Sequence, residues 1–284
     1  MYVFSYFKTN DEAMYLAISD DGLSWREACD GLPVLRSRVG TGRLRDPFII
    51  RDQTGTFQAL WTDGWESPAI GCASSTDLIH WEEQRLLPVM MDVPGVRNCW
   101  APEAYWDEAA GMYRIIWSST VLAQSEEERR DHRIWSVHTA DFNSCSPPAV
   151  FFDPGYNVID ATVTGLDDRY VMLFKDERGH NELGTAYKAI RSVQWGKQAH
   201  TGPSTVESSD LLTPALTEGP TLYRDPSGQW IMLYDAFQDG YYGGVCSDDL
   251  TVWEPLGSRL KLPQGVRHGS VLQIDGDDNA LTGR

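Results

Sequence analysis

Residues 44–63 read LRDPFIIRDQTGTFQALWTD: a carboxylate, an apolar run, a polar turn, and a second apolar run that ends beside an aromatic residue. Pro47 to Arg51 is short and apolar, Gln53-Thr54-Gly55 is turn chemistry, and Phe57 to Thr62 is a second short apolar run. The stretch therefore reads as an inner strand, a tight turn and a second strand. Ala69 to Ser74 follows as a third strand, and Ser75 to Trp81 (STDLIHW) as a turn whose tryptophan covers the sheet edge. The plan recurs at 100–119 (WAPEAYWDEAAGMYRIIWSS), 158–177 (VIDATVTGLDDRYVMLFKDE) and 217–237 (TEGPTLYRDPSGQWIMLYDAF). The leading carboxylates Asp46, Glu103, Asp160 and Glu218 stand 57, 57 and 58 residues apart, and Trp81, Trp195 and Trp253 each follow Asp46, Asp160 and Glu218 by 35 residues. About five such periods use up the 284 residues. Repeats of this kind, built from short strands, are the mark of a β-propeller with one four-stranded sheet per blade. The expectation is an all-β, five-bladed β-propeller occupying residues 1–284 as a single domain.

The turn motif also appears at 19–25 (SDDGLSW) and 247–253 (SDDLTVW), and more faintly at 139–142. Trp25 has no inner strand before it. Its natural partner is Arg267 to Ile274 at the other end, so the fifth blade is expected to take its inner strand from the C-terminus and its outer strands from residues 1–37. That closure ties the ring and removes an open sheet edge. Ser125 to Arg130 is the one helix candidate, with Ser125 and Glu128 placed as a capping box, but a charged, solvated loop between strands is the favoured reading.

Forty-one acidic against 24 basic residues give a net charge of −17. Such a field repels phosphate backbones and anionic lipid, so neither nucleic acid nor membrane is an expected partner. No apolar run is long enough to cross a bilayer. The first residues lack a basic segment followed by an apolar core. Cys29, Cys72, Cys99, Cys145 and Cys246 are scattered, without a CxxC pair. These features fit reduced thiols in a cytoplasmic protein, although a secreted chain shorn of its leader reads identically.

In a propeller the innermost strands line the central channel, so the four carboxylates are expected at one funnel mouth. Crowded, partly dry carboxylates cannot all ionise, which separates an acid from a base. Glycoside hydrolysis uses that split. Here the residues resemble a known family. Arg45-Asp46-Pro47, Ile159-Asp160, Glu218-Gly219-Pro220 and Arg267-His268-Gly269, with Trp100-Ala101-Pro102, are similar to segments of family 43 glycoside hydrolases. These are five-bladed propellers that invert anomeric configuration and act mostly on arabinose- or xylose-containing polysaccharides. The resemblance implies Asp46 as general base, Glu218 as general acid, and Asp160 as the residue that orients the acid and tunes its pKa. It makes Glu103 either a substrate contact or a brace of the channel. Trp100, and less directly Trp65, are candidates to stack on sugar. Arg45 and Arg267 are candidates to contact hydroxyls or hold carboxylates ionised, with a plain surface role as the alternative.

In many members of that family the matching histidine helps hold a water-bound calcium ion, which makes His268 a candidate ligand in a central channel. A hydrogen-bonded core histidine is the competing reading, no stretch resembles a calcium loop, and no cofactor is required by the chemistry. The resulting expectation is an exo-acting, inverting enzyme on arabinose- or xylose-containing oligosaccharides, of α-L-arabinofuranosidase or β-xylosidase type. The alternatives are a glycoside phosphorylase, a galactosidase, or a sugar-binding propeller without turnover. Levan- and sucrose-hydrolysing propellers are disfavoured by the missing Asn-Asp-Pro segment and the lack of room for a β-sandwich after the fifth blade.

Overall fold

The structure, a computed structural model, describes residues 1–121, 130–179, 187–197, 202–203, 206–274 and 281. Strands β1 (Tyr2–Lys8), β2 (Asp11–Ser19) and β3 (Arg26–Glu27) belong to one sheet. Next come β4 (Arg45–Arg51), β5 (Phe57–Thr62), β6 (Ile70–Ser75) and β7 (Glu82–Leu87), then β8 (Trp100–Asp107), β9 (Met112–Thr120), β10 (His132–Thr139) and β11 (Ala149–Phe152). The next sheet has β12 (Val158–Gly165), β13 (Arg169–Asp176) and β14 (Ala189–Gly196) among the described residues. The last is β15 (Glu218–Arg224), β16 (Trp230–Ala236), β17 (Tyr241–Ser247) and β18 (Glu254–Pro255), and β19 (Arg267–Gln273) returns to the first sheet. The result is the expected five-bladed propeller. For reference, β4, β8, β12 and β15 open blades one to four.

Closure is as the sequence implied: the fifth blade runs β19-β1-β2-β3, with Phe4 opposite Val271 and Tyr6 opposite Gly269. Clusters of buried apolar side chains join neighbouring blades, among them the fully buried Trp61, Trp117, Phe4 and Phe174, which removes a large area from water. The turn motif also has a physical basis. In 19–25, 75–81 and 247–253 an aspartate (Asp21, Asp77, Asp249) accepts backbone N–H bonds two and three residues on. These are Asx-type turns. Asp141 does the same in the blade without a tryptophan there.

Two expectations change. Trp195 keeps the 35-residue beat but lies within strand β14, opposite Tyr170, whereas Trp81 and Trp253 follow a third strand. Its position in the count is a coincidence. The inner strands also each carry a bulge, between Arg45 and Phe48, Trp100 and Glu103, Ile159 and Thr162, and Glu218 and Thr221. By register Arg45, Trp100, Ile159 and Glu218 are equivalent, as are Phe48, Glu103, Thr162 and Thr221. The four carboxylates therefore occupy three different positions along their strands. The helix candidate at Ser125 to Arg130 lies, but for Arg130, outside the described residues.

Closure generates a prediction. A methyl group on Gly269 would sit 1.9 Å from the Ser5 carbonyl oxygen in the paired strand, whereas one on Gly196 would meet nothing within 4 Å. Gly269→Ala is expected to cost about 1–3 kcal/mol and to lower the thermal midpoint by about 3–10 °C. Gly196→Ala is expected to unfold at the parental temperature, and scanning fluorimetry on both variants checks the pair.

Candidate active site

The bulges build the site. Each removes one residue from the ladder and turns it into the left-handed region: Asp46 (φ 49°), Ala101 (φ 46°), Asp160 (φ 54°) and Gly219 (φ 57°). A bulge re-aims side chains at a rim, and non-glycine residues in this conformation carry strain of order 1–3 kcal/mol. Asp46 and Asp160 are thereby pointed toward the channel mouth. Gly219 is the position where a side chain is excluded, because a Cβ there would lie 2.5 Å from the His268 ring.

Arg45, Asp46, Thr62, Gly64, Trp65, Trp100, Ile159, Asp160, Glu218 and His268 line a cavity of about 130 Å³. Six of the named candidates, Arg45, Asp46, Trp100, Asp160, Glu218 and His268, thus meet at one place, together with Trp65. Asp46 Oδ2 accepts the Thr62 hydroxyl at 2.7 Å. Asp160 Oδ2 accepts the Gly219 N–H at 3.2 Å, next to the Glu218 side chain, and the Asp160 N–H donates to Ser118 Oγ at 3.0 Å. The Trp100 indole donates to the Trp65 carbonyl at 3.0 Å, and the two rings meet edge to face. Trp65 is 56% exposed, its ring facing the Arg45 guanidinium 4.6 Å from the centroid. Arg45 itself pairs with Glu12 at 2.9 Å.

Two candidates stand elsewhere. Arg267 does not line the cavity; it donates to Asp235 at 2.6 Å and reaches Glu218 Oε1 only at 3.8 Å. Glu103 is 6% exposed and absent from the lining, so the channel brace, not the substrate contact, describes where it lies. Its bulge offset is the reason: two positions beyond the left-handed residue, it points into the packed interior.

Electrostatics separate the carboxyls. Burial pushes Asp160 up to about 7, with the charges of Glu218 and Asp46 adding and those of His268 and Lys175 opposing. Burial lifts Glu103 to about 8, partly offset by a side-chain bond with Thr162 and by His268. Burial alone would lower His268, but the carboxylates of Asp160, Asp46, Glu218 and Glu103 outweigh it and raise the imidazole above its ordinary value. His268 Nδ1 lies 3.6 Å from Asp46 Oδ1 and 3.9 Å from Asp160 Oδ2. A calcium ion takes six to eight oxygen ligands. Among the described residues no three His, Cys, Asp or Glu side chains are grouped to hold an ion. The side chains present do not fit a protein-held calcium, and no step below passes through one.

Sequence reasoning missed a set of residues on the second strands. Thr62, Ser118, Lys175 and Asp235 pair in register with Arg45, Trp100, Ile159 and Glu218. Thr62 Oγ1 accepts the Ala101 N–H at 2.7 Å, Ser118 Oγ that of Asp160, and Asp235 Oδ2 that of His268 at 3.2 Å. Each thus holds the start of the next blade's inner strand. Their signal was in the repeat: each directly follows the aromatic residue closing the second run, Trp61, Trp117, Phe174 or Tyr234.

A family model described as a probable glycosyl hydrolase domain, Glyco_hydro_43_rel, matches residues 1–279. The chain belongs to this family of glycosyl hydrolase domains. The resemblance to family 43 drawn from its motifs therefore holds. An α-L-arabinofuranosidase of Bifidobacterium longum subsp. longum is 27% identical over 244 residues, covering 76% of this chain and 22% of that protein. The chain thus spans about a fifth of the length of that relative. Among solved structures, an α-L-arabinofuranosidase from Clostridium thermocellum superposes with a TM-score of 0.61 at 13% identity, covering 91% of this chain and 85% of its own. An α-L-arabinanase from Penicillium chrysogenum, solved with arabinobiose, gives 0.60 at 13%, covering 91% and 76%. At these identities the structural matches establish the shared fold. No helix among the described residues is long and apolar enough to cross a membrane.

Buried Glu103 makes stability depend on pH. With its pKa near 8 in the fold against 4.5 in the unfolded chain, the native state holds more protons between those values, and stability drains as pH rises through that window. Glu103→Gln removes this contribution. Between pH 5 and 8.5 the parent is expected to lose several degrees more of thermal midpoint than the variant, roughly 2–4 °C for each kcal/mol. Parallel melting curves at both pH values would contradict the assignment.

Proposed function

We propose that this chain is an inverting, exo-acting glycoside hydrolase that releases arabinofuranose or xylose from short oligosaccharides. The observation that carries the reading is the convergence of Asp46, Asp160 and Glu218, from three different blades, on one small cavity with Arg45, Trp65 and Trp100 at its rim. A volume of about 130 Å³ suits one sugar ring, which favours action at a chain end. The names of the Bifidobacterium, Clostridium and Penicillium relatives support arabinose as the first sugar to try.

In this reading Glu218 gives its proton to the glycosidic oxygen as the bond to the anomeric carbon breaks. A water attacks from the opposite face and passes its proton to Asp46. Inversion requires room for that water, about 6.5–9.5 Å between acid and base carboxyls. Asp160 acts on Glu218 from beside it, through the Gly219 N–H and through its charge. The two tryptophans offer apolar ring faces and edges to a sugar, and Arg45 offers N–H donors to hydroxyls.

The test is a panel of aryl α-L-arabinofuranosides, β-D-xylosides and β-D-galactosides, run with and without phosphate, with the first-formed anomer read by NMR. Turnover of a pentoside without phosphate and with inverted product is expected. Glu218→Gln should lower kcat by about 10²–10⁴ on leaving groups that need protonation, and least on those that do not. Retained configuration would refute Asp46 as a general base and with it the inverting mechanism, a phosphate requirement would make the protein a phosphorylase, and sugar binding without turnover would leave a lectin-like propeller.

A further inference from the structure

The four second-strand residues that clasp the next blade are not alike. Thr62, Ser118 and Asp235 each present an oxygen to a backbone N–H, which any structural clasp requires. Lys175 stands at the same register position but has no acceptor atom. The N–H it would have held, that of Gly219, goes to Asp160 Oδ2 instead. Lys175 therefore does not perform the structural task of its position. Its side chain is only 4% exposed, and burying an ammonium group is costly unless something holds it.

What holds it is the candidate acid. Lys175 Nζ donates to Glu218 Oε2 at 2.7 Å and pairs with Glu177 Oε1 at 2.6 Å, under the ring of Phe237 with its centroid 4.4 Å away. Glu177 is tied in turn to Lys188 at 2.9 Å. An ammonium group only donates, so Glu218 Oε2 is committed to accepting. When Glu218 is neutral its proton must sit on Oε1, and Arg267 Nη2 lies 3.8 Å from that oxygen, beyond hydrogen-bond reach.

We propose that Lys175 is a positioning residue that fixes the Glu218 carboxyl and confines its transferable proton to Oε1, the oxygen left free to meet the glycosidic bond. The inference rests on the hydrolase reading above. In the step it governs, the Oε1 proton moves to the leaving oxygen as the glycosidic bond breaks, and Glu218 ends as a carboxylate held by Lys175. The ammonium group thus serves both halves: it orients the acid before transfer and faces the charge that forms on transfer, the arrangement that electrostatic preorganisation requires.

The experiment compares Lys175→Met and Lys175→Arg with the parent on phenyl and 2,4-dinitrophenyl glycosides. Lys175→Met should lower kcat about 10²-fold on the phenyl glycoside and less than about fivefold on the dinitrophenyl one, whose departure needs no proton. KM should change little, and Lys175→Arg should recover most of the loss. Equal losses on both leaving groups, or an arginine variant as poor as the methionine one, would overturn the proposal. If Lys175→Met does not fold, Lys175→Ser, which restores the hydroxyl that Ser118 supplies in the preceding blade, gives the same readout. Crystal structures of parent and variant add an arm independent of activity: the Glu218 carboxyl should turn from its parental orientation, and an unmoved carboxyl would refute the positioning role. A parent that turns over no glycoside would sink the hydrolase reading, while the crystallographic comparison would still decide the role of Lys175.

Discussion

The structure depends on one recurring hydrogen bond: a polar side chain at the end of a second strand holding the bulged N–H that opens the next blade's inner strand. A bulge strips its residue of a ladder partner, and an unpaired buried N–H costs about 1–3 kcal/mol. Thr62, Ser118 and Asp235 supply the missing acceptor from the neighbouring blade. Packing of blades and construction of the site are therefore one set of contacts. The ring cannot shift by a residue without losing them, and the same bulges aim Asp46 and Asp160 at the channel mouth.

The third clasp departs from this rule, and the departure falls at the candidate acid. Around it charges alternate in sequence of contact, from Lys188 to Glu177, Lys175, Glu218, Arg267 and Asp235. Buried ion pairs contribute little net stability, since desolvation offsets most of the attraction. A hydroxyl at position 175 would satisfy the fold at lower cost, as it does in two other blades. In a chain of net charge −17, two cations close to one carboxylate are a local reversal of the global field. That placement accounts for the site better than it accounts for stability.

Much of the fold was legible because blades are independent reports of one pattern. The inner strand, turn and second strand of 44–63 were readable from apolar runs and Gly55, and the ring closure from the orphaned Trp25. The Asx turns were visible as Ser-x-Asp before tryptophan. Register was not legible, because a bulge inserts a residue without leaving a composition signal. The even spacing of the carboxylates came from that ambiguity: the true equivalents, Asp46, Ala101, Asp160 and Gly219, are 55, 59 and 59 residues apart. The same offset moved Glu103 from the cavity to the interior and hid Lys175, which sits in a strand that otherwise reads as core. Trp195 shows the converse error, a regular interval with no common structural cause.

Asp160 binds these levels together. Its N–H is held by Ser118 of the blade before, its Oδ2 holds the Gly219 N–H of the blade after, and His268 of the closing blade lies 3.9 Å from that same oxygen. The peptide that carries Glu218 is thus positioned by a carboxylate that is itself positioned by two other blades. Asp160 reaches the Glu218 segment without touching the Glu218 side chain, through a backbone bond one residue away, while Lys175 grips the carboxyl from the opposite end. Glu218 is held through the neighbouring peptide by Asp160 and at its side chain by a cation, so neither partner alone defines it. A carboxyl fixed at both ends has little freedom to rotate, and a cavity of about 130 Å³ leaves a bound ligand little freedom either. The geometry of the candidate site follows from closing the ring: each blade must be in register before Asp46, Asp160, Glu218 and His268, from four blades, can meet.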